Sequence, residues 1–121
     1  MIYVGIDIGK DGAVAILKDD DYPTIYDTPS DTYQMGEILA PFSRTKDIIV
    51  GLEHVHAFPG QGVSSTFKLG YQAGIWHGII GAYGFDYQII RPQAWKKHYS
   101  IEGDKKKQKE EARDIARKLY P

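Results

Sequence analysis

The chain has 121 residues, of which 42% are hydrophobic and 26% charged, and its formal net charge is −1. That length suits one domain with one continuous core, and the composition is that of an ordinary globular protein. The absence of cysteine excludes disulfides, thiolate metal sites and a cysteine nucleophile. Because no signal peptide and no membrane-spanning apolar run is recognisable, we expect a soluble protein of the cytoplasm.

Charge is distributed unevenly along the chain. Residues 1–56 carry ten acidic and four basic side chains, whereas residues 57–121 carry six acidic and eleven basic ones. Most of the basic excess follows Arg91, and such a block is typical of a surface that contacts phosphates. Glu110, Glu111 and Asp114 are interleaved with it, so a solvated helix face explains the same pattern equally well.

The first half of the chain predicts three strands, a helix and a fourth strand. Ile2 to Ile8 and Ala13 to Leu17 are apolar runs separated by the turn signal Gly-Lys-Asp-Gly, which indicates a hairpin. Thr24 to Tyr26 predicts a short third strand. Ser30 or Asp31 is expected to cap a helix that Pro41 shortens or kinks, and Asp47 to Leu52 predicts the fourth strand.

The second half alternates helices with one more strand. Ser64 or Ser65 is expected to open a helix ending near Tyr83, followed by a strand over Tyr87 to Ile90 and a helical turn from Pro92 to Trp95. Asp104 is expected to cap a last helix. The order β-β-β-α-β-α-β-α predicts an α/β ribonuclease-H-like fold, with a five-stranded mixed sheet, as a single domain over residues 1–121.

Two acidic residues stand where this topology brings strand ends together. Asp7 lies late in the first strand and Glu53 ends the fourth, and these strands are expected to be parallel neighbours. Carboxylate oxygens at one rim of a sheet can hold Mg²⁺ or Mn²⁺, and a pair of such ions can promote phosphodiester hydrolysis. The alternative is that either acid caps a helix or forms a salt bridge.

Other polar and aromatic side chains follow Glu53. His54 and His56 alternate along one strand face and could assist metal binding or proton transfer, although ordinary polar loop residues would look the same. Phe58 lies in a loop rich in proline and glycine, where an aromatic ring can stack on an unpaired base. Folding back of Phe58 onto the core is an equal alternative.

Three blocks of the sequence resemble the RuvC family of Holliday-junction resolvases, in particular the RuvC-like proteins of phages and their bacterial hosts. These blocks are GIDIGKDGAVAIL, GLEHVHAFPGQGVSSTFKLGYQAGIWHGII and IIRPQAWKK. The resemblance covers nearly the whole chain, and its most specific part joins Glu53 to the Ser-Thr-Phe-Lys-Leu-Gly start of the following helix. It implies an endonuclease of the bacterial cytoplasm or the phage-infected host, acting in DNA recombination and repair.

The resemblance also implies roles for individual residues. Asp7 and Glu53 match the first two catalytic, metal-binding carboxylates, expected to hold Mg²⁺ or Mn²⁺ as two ions. The loop with Phe58 matches a loop that enters the centre of the junction, and the lysines expected to face phosphates are Lys68, Lys96, Lys97 and Lys105. The glycine-rich helix matches one that joins two subunits as a homodimer through Gly70, Ala73, Gly74, His77, Gly78 and Gly81.

The sequence departs from the family at its end. Relatives continue past the last helix into a segment like DG-x-ADA, which supplies the final one or two carboxylates, whereas this chain stops at Pro121. We therefore expect a domain truncated at its C-terminus and keep two alternatives to a junction endonuclease. One is a catalytically impaired dimer that binds branched DNA. The other, more distant, is a fragment of an actin-like ATPase, suggested by the phosphate-binding role of Asp-Ile-Gly in that superfamily.

Overall fold

The computed structural model describes residues 1–19, 21–57 and 59–121. The chain divides into two compact units, Met1–Ile89 and Ile90–Pro121, and each is described by itself. The prediction of one domain over residues 1–121 stays a prediction. No helix among the described residues is long and apolar enough to cross a membrane.

The sheet has five strands in the order β3-β2-β1-β4-β5. They are β1 (Ile2–Asp7), β2 (Ala13–Lys18), β3 (Thr24–Asp27), β4 (Ile48–Glu53) and β5 (Asp86–Ile90). β1 and β2 form an antiparallel pair and so do β2 and β3, whereas β1 and β4 run parallel. The predicted hairpin and the predicted parallel pairing of the first and fourth strands are both confirmed.

The alternation of side chains along the central strands gives the sheet two different faces. Val4 and Ile6 of β1 and Val50 and Leu52 of β4 are each at most 3% exposed and point into the core. The opposite face is more open, because Tyr3 is 49% exposed. Asp7 belongs to this open face, since it follows the buried Ile6 by one residue.

Two helices belong to the first unit, α1 (Thr32–Leu39) and α2 (Val63–Tyr83), and a 3-10 turn (Ala40–Phe42) follows α1. The Asp31 carboxylate caps α1 by accepting a hydrogen bond from the Tyr33 backbone N–H at 2.9 Å. The break between α1 and the 3-10 turn falls at Pro41, as its missing N–H predicts. α2 anchors the core through Trp76 and Ile80, which are 0% and 1% exposed.

The second unit contains α3 (Pro92–His98) and α4 (Lys105–Leu119). α3 continues beyond the predicted end at Trp95. The Asp104 carboxylate caps α4, as predicted, by accepting a hydrogen bond from the Lys107 backbone N–H at 2.8 Å. Ile101, between the two helices, is 6% exposed.

Candidate functional site

The ends of β1 and β4 bring Asp7 and Glu53 to one rim of the sheet. Ile6 is in register with Leu52, so Asp7 and Glu53 are the next residues of two parallel strands. Side chains alternate along a strand, and both acids therefore project to the face opposite the buried Ile6 and Leu52. The predicted convergence of these two strand ends is present in the structure.

The Glu53 carboxylate reaches the backbone just beyond Asp7. Its Oε2 accepts a hydrogen bond from the Ile8 N–H at 3.0 Å. This bond connects the end of β4 to the residue after Asp7, and it restricts where the half-buried Glu53 carboxylate can lie. Because a charged acceptor strengthens a hydrogen bond, this contact also stabilises the rim itself.

The Asp7 side chain is exposed to solvent. Its negative charge therefore carries little of the free-energy cost that burial of a carboxylate would have. Asp7 also forms no ion pair with any residue in the described ranges. Asp7 is therefore a candidate site residue because of its position at the strand end, beside the contact between Glu53 and Ile8.

The backbone after Asp7 turns tightly with the help of two glycines. Gly9 has φ +149°, a conformation that residues with a Cβ rarely adopt. The Gly12 N–H donates to the Gly9 carbonyl oxygen at 3.2 Å. A Cβ at Gly12 would overlap the carbonyl oxygen of Asp7, so the turn at this rim depends on glycine at both positions.

Gln72 of α2 holds the same turn from another side, and the sequence analysis did not identify it. The Gly9 N–H donates to Gln72 Oε1 at 2.9 Å, and Gln72 Nε2 donates to the Gly9 carbonyl oxygen at 3.0 Å. One side-chain amide thus satisfies both backbone groups of Gly9. Since Gly9 follows Ile8, Gln72 fixes the backbone next to the Glu53 contact.

The donors at this rim are suited to a hard divalent cation. Two carboxylates that share a face offer the oxygen ligands that Mg²⁺ and Mn²⁺ prefer, and water or phosphate oxygens can complete the coordination. Within the described residues, no group of three or more histidine, aspartate or glutamate side chains is placed to hold a metal ion. The rim thus offers two carboxylate ligands to a cation.

The two histidines after Glu53 lie close together. The ring centroids of His54 and His56 are 5.3 Å apart, with His54 half-buried and His56 exposed. Their assistance in metal binding or proton transfer stays a prediction. Phe58, predicted to stack on a base, lies outside the described residues.

The predicted phosphate-facing lysines fall in both units. Lys68 lies on the exposed surface of α2 in the first unit, and the others, Lys96, Lys97 and Lys105, belong to the second unit. The Lys96 ammonium lies 5.7 Å from the Trp95 ring centroid. In α4 the acids pair with neighbouring bases, because Lys107 contacts Glu111 at 3.9 Å and Arg117 contacts Asp114 at 3.7 Å. Part of the basic block is thus a solvated helix face.

Most of the predicted dimer residues form an exposed stripe along α2. The stripe consists of Gly70, Gly74, His77, Gly78 and Gly81. Among the described residues, no atom outside the local backbone lies within 4 Å of a Cβ built on any of the four glycines, so packing against those residues does not require glycine there. The prediction is corrected for Ala73, because this residue is only 9% exposed and packs in the core.

Two solved structures of RuvC share this fold. "T. thermophilus RuvC in complex with Holliday junction substrate" aligns with a TM-score of 0.62 and 14% identity, over 84% of this chain and 72% of that chain. "Thermus thermophilus RuvC structure" aligns with a TM-score of 0.57 and 14% identity, over 88% of this chain and 75% of that chain. At this identity the likeness shows the fold, which is the mixed, five-stranded α/β arrangement of the ribonuclease-H-like class.

No protein-family model matches the sequence. No curated protein matches it either.

Proposed function

We propose that this chain is a metal-dependent endonuclease domain that cleaves phosphodiester bonds in branched DNA. The observation that carries the proposal is the pair Asp7 and Glu53, which end adjacent parallel strands on one face of the sheet. One structure with the same fold is a RuvC bound to a Holliday-junction substrate. The likeness to this structure and the pair of carboxylates together favour hydrolysis of DNA phosphodiesters over the ATP hydrolysis of the actin-like alternative.

The chemistry follows from the charge and position of the two acids. Asp7 and Glu53 would hold Mg²⁺ or Mn²⁺, which supplies activation of water and neutralisation of the developing charge on the phosphate. Water attacks the phosphorus, the bond to the 3′-oxygen breaks, and the products carry a 3′-hydroxyl and a 5′-phosphate. The protein's own contribution is to fix the carboxylates, Glu53 through Ile8 and the turn after Asp7 through Gln72.

We also propose that two copies of the chain associate through α2. Each of the four exposed glycines along one side of the helix destabilises it by roughly 1 kcal/mol relative to alanine. A second backbone approaching closely along the stripe would compensate for that cost. A two-fold dimer would present two rims to one four-way junction and allow paired nicks.

A second function is favoured by a specific observation. The described residues bring together two carboxylates and no larger group of metal ligands. A chain that binds branched DNA without cleaving it therefore remains the second candidate. It shares the fold, the dimer and the basic residues with the first candidate, and it differs only in catalysis.

The test is cleavage of a labelled four-way DNA junction in Mg²⁺ or Mn²⁺, read on denaturing gels, with binding read on native gels. Asp7→Asn and Glu53→Gln are expected to abolish nicking and to preserve junction binding. Asp11→Asn is the matched control, since this exposed acid lies in the turn after β1. Binding without nicking by the unaltered chain would reject the endonuclease and support the second candidate.

A further inference from the structure

A concave surface lies between α2 and the segment that leads into α1. The groove has a volume of about 240 Å³. One wall is formed by Phe67, Tyr71 and Ile75 of α2, and the other includes Pro29 and Met35. We call this surface the aromatic groove. It is smaller than most pockets for drug-sized ligands, which span roughly 300–1,000 Å³, so it suits one small planar group.

Two aromatic rings dominate the groove and remain open to solvent. Phe67 and Tyr71 are one helical turn apart, with ring centroids separated by 6.1 Å and planes inclined by 27°. They are 69% and 62% exposed. Exposed neighbouring aromatic rings leave apolar area uncovered, and such surfaces commonly mark binding sites. Their flat faces are suited to stacking on another planar ring.

The polar groups of the groove are a cation and neutral hydrogen-bonding groups. Lys68 lines it and forms no ion pair within the described part of the chain. Ser30 contributes a hydroxyl at the opposite wall. Aromatic faces, one cation and the absence of a carboxylate among the described lining residues match a base attached to a phosphate backbone.

One side chain connects the groove to the turn at the carboxylate rim. Gln72 lines the groove, and its amide makes both hydrogen bonds to Gly9. Gly9 follows Ile8, which donates to Glu53. A nucleotide in the groove would therefore lie against the side chain that holds the turn beside the carboxylates.

We propose that the aromatic groove binds one unpaired nucleobase, stacked on Phe67 and Tyr71, with Lys68 against a neighbouring phosphate. The proposal deepens the proposed function and rests on it for the identity of the strand. In branched DNA the base comes from a nucleotide unpaired near the branch point. The groove then selects strands with an unpaired base near the cleaved bond.

The test compares two fluorescent single-stranded hexamers in the full chain by anisotropy, one of thymidines and one of abasic nucleotides with the same phosphates. The thymidine hexamer is expected to bind about five-fold tighter or more. Phe67→Ala and Tyr71→Ala should each remove this preference, whereas Lys68→Gln should weaken both hexamers alike. Tyr22→Ala is the control, because this tyrosine is 66% exposed and does not line the groove. Circular dichroism verifies that each variant folds.

Equal binding of the two hexamers by the unaltered chain would overturn the proposal, and so would a preference that survives both aromatic substitutions. Sedimentation velocity on the same variants tests whether a second copy covers the groove instead. If Gly74→Leu on the exposed stripe removes both the dimer and the preference, the preference belongs to the dimer and the groove is not its source. Junction nicking separates the two proposals. Loss of nicking with the preference intact rejects only the endonuclease, and nicking without any preference rejects only the base site.

Discussion

At the scale of single residues, Gly12 is the position where the backbone leaves least room. A Cβ there would overlap the Asp7 carbonyl oxygen and lie 3.1 Å from that of Gly9. Gly12→Ala must therefore displace the turn beside Asp7, and we expect the free energy of unfolding to fall by about 1–3 kcal/mol. Urea denaturation measures the change.

Gly5→Ala is the matched control for Gly12→Ala. Gly5 lies in the same strand as Asp7, and a Cβ there would have nothing within 4 Å. We expect its unfolding free energy to stay the same or rise slightly, because alanine loses less backbone entropy on folding than glycine. If the urea denaturation curves of the two variants had the same midpoint and slope, the close approach at Gly12 would not constrain the turn.

The residues of the rim differ in how visible they are in the sequence. Asp7 and Glu53 are recognisable because each is an acid at the end of an apolar run, and the order of elements predicts that these runs are neighbours. Gln72 gives no such signal, because its partner Gly9 is 63 positions away and the contact exists only once α2 packs on the sheet. Side chains that bond the backbone across elements require tertiary coordinates.

At the scale of elements, α4 depends on its cap more than the other long helix does. None of its residues is buried, so tertiary packing contributes little to it, and Asp104 satisfies the Lys107 N–H in its first turn. Asp104→Ala should destabilise the helix by about 0.5–2 kcal/mol, and Asp104→Asn should preserve its stability. Circular dichroism at 222 nm during thermal unfolding is the measurement.

The comparison that isolates the cap uses Glu110→Ala, which removes an acid from an exposed position of the same helix. Helicity should change little in that variant. If Asp104→Ala and Glu110→Ala lost the same helicity, net charge rather than the capping hydrogen bond would stabilise α4.

Element boundaries show where local rules stop. α4 begins at the residue after Asp104 because the carboxylate has a nearby N–H to accept from, and the sequence predicts this. α2 begins at Val63 with Gly62 as its N-terminal cap and no side-chain capping bond, although Ser64 and Ser65 are the preferred residue type. The position of α2 is set instead by the packing of Ala73 and Trp76 in the core. Residue types along the sequence do not reveal this packing, so they do not predict where α2 begins.

At the scale of the whole molecule, the uneven charge predicts how DNA binding responds to salt. Replacing Lys96, Lys97 and Lys105 by glutamine should reduce the slope of log K against log salt concentration by about 2–3, if each neutralises one phosphate. Junction binding between low and moderate salt, followed by anisotropy, gives the slope. Lys10, Lys18 and Lys46 replaced by glutamine form a control with the same change in net charge. Equal slopes in both triple variants would mean that net charge alone acts.

The proposed association of two copies depends on the exposed stripe of α2. Gly74 lies in the middle of the exposed stripe, and a Cβ there would have no atom of the described residues within 4 Å apart from the local backbone. Gly74→Ala and Gly74→Leu both favour the helix by about 0.8–1 kcal/mol over glycine, so the isolated chain should become slightly more stable in either variant. The two substitutions differ in size, and a closely approaching second backbone tolerates a methyl group far better than an isobutyl group.

Sedimentation velocity should therefore find association weakened in Gly74→Ala and lost in Gly74→Leu. A dimer of unchanged affinity in Gly74→Leu would contradict the proposal, because the added side chain would then not meet the second copy, and the interface would lie away from the stripe.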